Sequence, residues 1–148
     1  MTGVVKQVSV SPGGMPKSAI PVGTLTAAGF LGDHQKNRKY HGGPDRAVCL
    51  FSVELYDRLR DRGIDLSPGS VGENLTVEGI DLDALSVGNR LHVGECLIEI
   101  TDVRTPCRNL NRWHPQLLKT MKGHSGWVAK VLKPGSVSPG QPVKLMVD

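Results

Sequence analysis

Aromatic residues are scarce: tryptophan, tyrosine and phenylalanine occur twice each in 148 residues. Proteins that grip single-stranded nucleic acid stack bases on aromatic rings interleaved with lysine or arginine. No such interleaving occurs here. The net charge of +4 therefore offers only unspecific attraction, and nucleic acid is not expected as a partner. Cysteine is scarce too. Cys49, Cys96 and Cys107 lie far apart and are odd in number. That argues against a disulfide framework and fits a reducing, cytoplasmic setting. There is no Cys-x-x-Cys pair, and His34, His92, His114 and His124 show no ligand spacing, so a zinc centre is not expected. No apolar run approaches membrane-spanning length and no signal peptide follows Met1, so no membrane partner is expected. A Walker loop, a dinucleotide fingerprint, a Gly-x-Ser-x-Gly elbow and a paired-carboxylate acid/base set are all missing.

What is abundant is punctuation. The chain holds 18 glycines and 10 prolines, with short apolar segments between them. This spacing predicts a mainly β fold with a few short helices, barrel-like, in a single domain over residues 1–148. Residues 4–10 alternate as a first strand, with Val4, Lys6, Val8 and Val10 expected on one face. Residues 22–26 and 27–31 read as a second short β region, and 47–51 as a buried strand. Ser52 is the expected cap of a helix with Leu55, Tyr56 and Leu59 inward and Gly63 as its stop. Arg58, Arg60 and Arg62 read as its solvated face. Residues 74–77 form a short strand; 91–93 and 96–103 form a hairpin over Gly94-Glu95. Cys96 shares a face with Ile98 and Ile100 and is assigned to the core, as is Cys49. Residues 115–122 read as a second helix with Leu117, Leu118 and Met121 inward. Residues 127–132 and 142–147 close the chain as strands. Two stretches rhyme, 86–93 and 138–145, each a turn feeding a strand, as two similar barrel corners would be.

The chemistry concentrates in Arg104-Thr105-Pro106-Cys107-Arg108-Asn109-Leu110. Pro106 ends the preceding strand and stiffens the turn. Two guanidinium groups flank Cys107 and favour its thiolate, and a following helix N-terminus would add to this. Such a thiolate could be a nucleophile, a redox group or a soft metal ligand; a buried structural cysteine is the plain alternative. Three other stretches carry polar groups. His41-Gly42-Gly43-Pro44-Asp45-Arg46 offers exposed N–H groups together with His41 and Arg46 for an anion, or is a simple turn. Gly72-Glu73-Asn74 could read a ring edge, or serve a turn. Lys17-Ser18-Ala19-Ile20 adds a cation and a hydroxyl.

Taken in this order, and with Gly32-Asp33 and Gly126-Trp127, these stretches resemble the MOSC domain, the domain at the C-terminus of molybdenum cofactor sulfurase. The likeness is to small stand-alone bacterial members of the YiiM-like type and covers essentially the whole chain. The resemblance implies a β-barrel-like fold and a pocket for molybdenum cofactor (molybdopterin). It implies that Cys107 is the metal ligand and catalytic thiolate, or the carrier of a persulfide sulfur. It implies cofactor-binding roles for Lys17, His41, Arg46, Asn74, Arg104 and Arg108, with Lys17 and Arg46 suited to phosphate and Asn74 to pterin edges. The implied activity is reduction of N-hydroxylated small molecules with an external electron donor; the alternative is a non-catalytic carrier supplied by a sulfur donor. Larger proteins of this type continue into a C-terminal helical segment, which this chain is expected to lack.

Overall fold

The computed structural model describes residues 1–34, 44–106 and 108–147. The expectations for His41 and Cys107 therefore lie outside the described residues. Eleven strands occur: β1 (Thr2–Val10), β2 (Ser18–Ile20), β3 (Gly23–Thr26), β4 (Gly29–Phe30), β5 (Val48–Ser52), β6 (Leu75–Glu78), β7 (Arg90–Val93), β8 (Cys96–Val103), β9 (Trp127–Lys133), β10 (Gly135–Val137) and β11 (Pro142–Leu145). Two α-helices join them, α1 (Val53–Asp61) and α2 (Leu117–Met121). The large sheet runs β11-β7-β8-β9-β5-β6-β1-β2, and β11 also pairs with β1. That pairing closes β11, β7, β8, β9, β5, β6 and β1 into a barrel, and β2 hangs from the outer half of β1. β10, β3 and β4 form a separate three-stranded sheet. Closure leaves no open edge within the barrel and buries one continuous core, including Val8, Leu50, Phe51, Leu75, Leu91 and Ile98.

The mainly β, barrel-like reading holds. The two rhyming stretches become β7 and β11, neighbours in the barrel that pair through Val93 with Val143 and Leu91 with Leu145. Ser52 caps α1 as expected, its Oγ accepting from Leu55 N at 3.1 Å, with Leu55, Tyr56 and Leu59 buried. Gly63, at φ +81°, ends the helix in the left-handed region.

The expected face of β1 needs correction. Its register against β6 shifts between Val5 and Gln7, so one extra residue changes the phase. Val5 and Val8 point inward, and Lys6 is exposed. A bulge of this kind breaks simple alternation and bends the strand. The second helix is also shorter than expected. It spans Leu117–Met121 rather than 115–122, and residues 108–112 ahead of it make a separate 3₁₀ helix. Pro115 lacks an N–H and its ring obstructs the preceding turn, so one continuous helix cannot form. The segment after Cys107 is thus a 3₁₀ helix and not the expected α-helix. No helix among the described residues is long and apolar enough to cross a membrane.

Candidate functional site

The loop after β1, the segment before β6 and the exit of β8 meet at one end of the barrel. With the starts of β5 and β9 and the 3₁₀ helix, they line a cavity of about 210 Å3. The loop after β1 contributes Gly13, Gly14, Met15 and Lys17; the segment before β6 contributes Val71 and Gly72; the β8 exit contributes Arg104 and Thr105. Cys49, Val128, Arg46, Asn109 and Arg112 complete the wall. Lys17, Arg46 and Arg104 were expected from the sequence. Arg112, Asn109 and Cys49 were not.

Each cation is held differently. Lys17 is buried, and its Nζ donates to both carboxylate oxygens of Asp33, at 2.9 and 2.8 Å. Asp33 also accepts from Ser11 N at 2.9 Å and from Asn74 Nδ2 at 2.9 Å. Arg46, from a 3₁₀ turn (Pro44–Arg46), pairs with Asp102 at 3.1 Å. Arg104 is anchored by its backbone, its N–H donating to Gly126 O at 3.1 Å and its carbonyl accepting from Ser125 Oγ. Its Nη2 donates to the carbonyl of Val71, while Nη1 is buried with no partner among the described residues. Arg112 Nη1 donates to Met15 O at 2.9 Å, and its guanidinium stacks 5.7 Å from the Trp113 ring centroid.

Asn74 is fully buried and does not line the cavity. Its Oδ1 accepts from Cys49 N at 3.1 Å, and its Nδ2 donates to Ser9 O at 3.1 Å as well as to Asp33. The amide thus ties β1, β5 and the Asp33 carboxylate together behind the wall. Arg108 is exposed and lies outside the cavity lining.

Cys49 was assigned to the core, and here the structure differs. It is only partly buried and faces the cavity, while its neighbours Val48, Leu50 and Phe51 are inaccessible. Burial pushes its thiol pKa up, and Arg104 and Lys17 only partly pull it back. That shift favours the thiol over the thiolate and makes Cys49 a weaker nucleophile than a cysteine of lowered pKa. Cys96 is fully buried, as expected. Behind the Gly69–Gly72 turn, Glu73 accepts from Tyr56 Oη at 2.8 Å and from Thr76 Oγ1 at 2.8 Å. Burial raises the pKa of this carboxyl despite those bonds. One glycine close by has a strict steric reason. Gly126 sits at φ +88°, and a Cβ there would collide with the carbonyl oxygen of Leu50.

A cavity with four cationic side chains, an unfilled guanidinium donor and a partly apolar wall suits an anionic, planar-ended ligand. Residues 37–144 match the model of the MOSC domain. Protein YiiM of Escherichia coli (strain K12) is 33% identical over 133 residues, covering 82% of this chain and 58% of that protein. An uncharacterized Bacillus subtilis (strain 168) protein, YflK, is 32% identical over 150 residues, 98% of this chain and 63% of its own length. This chain thus spans less than two thirds of either relative. A Gibberella moniliformis (strain M3125 / FGSC 7600) protein named "Reductase" is 32% identical over 130 residues, covering 82% of this chain and 23% of that protein. The crystal structure of E. coli YiiM superposes with a TM-score of 0.76 at 28% identity, over 100% of this chain and 71% of that one.

Proposed function

Because this chain belongs to the MOSC domain family, and because its cationic cavity reaches both flanks of Cys107, we propose that it binds molybdenum cofactor with Cys107 as the metal's thiolate ligand. The observation that carries this reading is the cavity wall itself. Thr105 and Asn109, two residues to either side of Cys107 in sequence, both line it, alongside Arg104 with its unpartnered nitrogen.

The residues present fit such a group. Molybdopterin presents a phosphate, polar ring edges and a soft metal dithiolene. The cavity offers guanidinium donors for the first, and the Met15, Val71 and Val128 side chains as an apolar wall. Thiolate is an appropriate donor for a soft metal site. Burial raises the pKa of Cys49, which also lines the cavity, and so weakens it as a competing thiolate. When bound, the cofactor supplies a redox-active metal for cleaving the N–O bond of N-hydroxylated compounds, with electrons from an external donor. The chain's own part is to bind, orient and exclude water. The Lys17–Asp33–Asn74 network fixes the loop after β1. Arg104, anchored through Val71 and Ser125, presents a fixed positive charge beside the thiolate's chain segment.

Molybdenum content tests the reading directly. Wild-type protein from a cofactor-competent host is expected to carry close to one molybdenum per chain, Cys49→Ala to keep it, and Cys107→Ala to lose it. Metal-free wild type, or fully loaded Cys107→Ala, overturns the assignment.

A further inference from the structure

The turn at residues 69–72 has two sets of partners. Its three consecutive carbonyls hold residues of the cavity wall or next to it. Gly69 O accepts from Lys17 N at 2.9 Å, Ser70 O from Trp113 Nε1 at 3.0 Å, and Val71 O from Arg104 Nη2. One turn thus joins the loop after β1, the residue that follows the 3₁₀ helix and the exit of β8. Its N–H groups go elsewhere. The Glu73 carboxyl accepts from Gly69 N, and Tyr56 Oη accepts from Val71 N at 3.4 Å. Tyr56 Oη in turn donates to Glu73 Oε1 at 2.8 Å, and Thr76 Oγ1 donates to Glu73 Oε2 at 2.8 Å. Tyr56 and Glu73 are both buried, and neither lines the cavity.

A buried acid and a buried phenol are costly ways to fill volume. Phenylalanine and methionine would pack against Phe51 without the desolvation of polar groups. What the pair supplies is acceptors for turn N–H groups that point away from solvent. We propose that Tyr56 and Glu73 are positioning residues for the cavity: the pair fixes the 69–72 turn, and the turn's carbonyls fix the Arg104 guanidinium and the Trp113 indole. Arg104 depends on this brace because Val71 O is the partner of its Nη2, while its Nη1 has none among the described residues. Arg112 depends on it through Trp113, whose ring lies 5.7 Å from its guanidinium. A helix on one side of the barrel, α1, is thereby connected to the cavity wall without touching it. In taking that wall to serve molybdenum cofactor, the inference rests on the reading above; as a brace of the turn it stands on the hydrogen bonds alone.

Solution NMR of the full chain tests it, because the two indole N–H groups are read separately. Trp127 Nε1 donates to Leu82 O, outside the turn, and so reports the fold in the same spectrum. Tyr56→Phe keeps the ring and removes the hydroxyl. It should speed exchange of the Val71 N–H with water about tenfold, the factor carried by one lost hydrogen bond. Exchange of the Trp113 Nε1–H should rise at least about threefold and that of Trp127 should not, since local opening governs each. Glu73→Met removes the acceptor at similar length and should loosen Trp113 likewise. Glu73→Gln returns a carbonyl acceptor and should restore wild-type exchange. Ser52→Ala weakens the same helix without touching the turn and should leave Trp113 as in wild type. Trp113 exchange unchanged in both Tyr56→Phe and Glu73→Met overturns the proposal. So does Trp127 exchange that rises as much as that of Trp113, or Ser52→Ala that loosens Trp113 equally. Molybdenum content separates the brace from the cofactor reading. Wild type without molybdenum defeats that reading, and Trp113 exchange still decides the brace. A loaded wild type with an equally loaded Tyr56→Phe overturns the brace as a positioning device for the cofactor.

Discussion

Glu73 is the residue whose environment departs furthest from its usual one. It is fully inaccessible, and its carboxyl accepts from Tyr56, Thr76 and the backbone N–H groups of Gly69 and Glu73 itself. Those bonds favour the anion, yet burial outweighs them and raises the pKa above the ordinary value. The folded state therefore holds a proton at pH values where the unfolded chain has lost it. Stability from this group is fully present below the unfolded value and falls as pH rises through the folded one. Glu73→Gln removes that ionisation and keeps a side chain of the same shape. Urea unfolding between about pH 4 and pH 8 should show the variant gaining on wild type as pH rises. A constant difference across that range would mean that Glu73 is ionised in the fold throughout. The sequence could not announce this environment: Glu73 and Asn74 read there as ring-readers or turn residues, because burial behind a loop comes from contacts distant in sequence. Cys49 shows the same blindness in reverse. Its run of apolar neighbours suggested a strand buried on both faces, and only the cavity wall reveals that one face opens.

At the scale of elements, what was legible is what local chemistry dictates. Ser52 illustrates it. A serine before a helical apolar stripe, with Glu54 in the first turn and Gly63 beyond the end, specifies α1 almost residue by residue. Ser52→Ala should cost about 1 kcal/mol, read as a lower urea midpoint with unchanged slope. The cap is buried, so water cannot replace the lost acceptor for Leu55 N. A loss much smaller than this would mean that the first turn finds another partner. Elements set by tertiary pairing were less legible. The β1 bulge satisfies β6, β11 and β2 at once along one strand, and no local signal marks it. The 3₁₀ helix at residues 108–112 stands where the sequence suggested a helix N-terminus following Cys107. Its placement still matters, since it carries Asn109 and Arg112 to the cavity.

The whole molecule divides along the barrel axis into an end where β11 meets β1 and an end that carries the cavity. The first half of β1 pairs with β11, and its last residues pair with β2 before the chain turns into the cavity loop. β8 likewise begins at Cys96, beside β7 at the closing end, and ends at Val103, next to Arg104 in the wall. This explains why the rhyme between β7 and β11 was a sound signal of closure while carrying no information about the site. It also yields a separable prediction. Val143 is fully buried where β11 meets both β1 and β7, opposite Gly3 and Val93. Val143→Ala removes two methyl groups from a closed core and should cost about 2 kcal/mol, lost transfer energy plus the cavity left behind. Because closure and cavity wall sit at opposite ends, molybdenum content at a temperature well below the melting point should stay within about twofold of wild type, as for independent sites. Thermal melts and metal analysis on the same preparation measure both. If metal content falls in step with stability, the wall is held by strain transmitted through the barrel. If it does not, the arginines are held locally, by Met15, Val71 and Ser125.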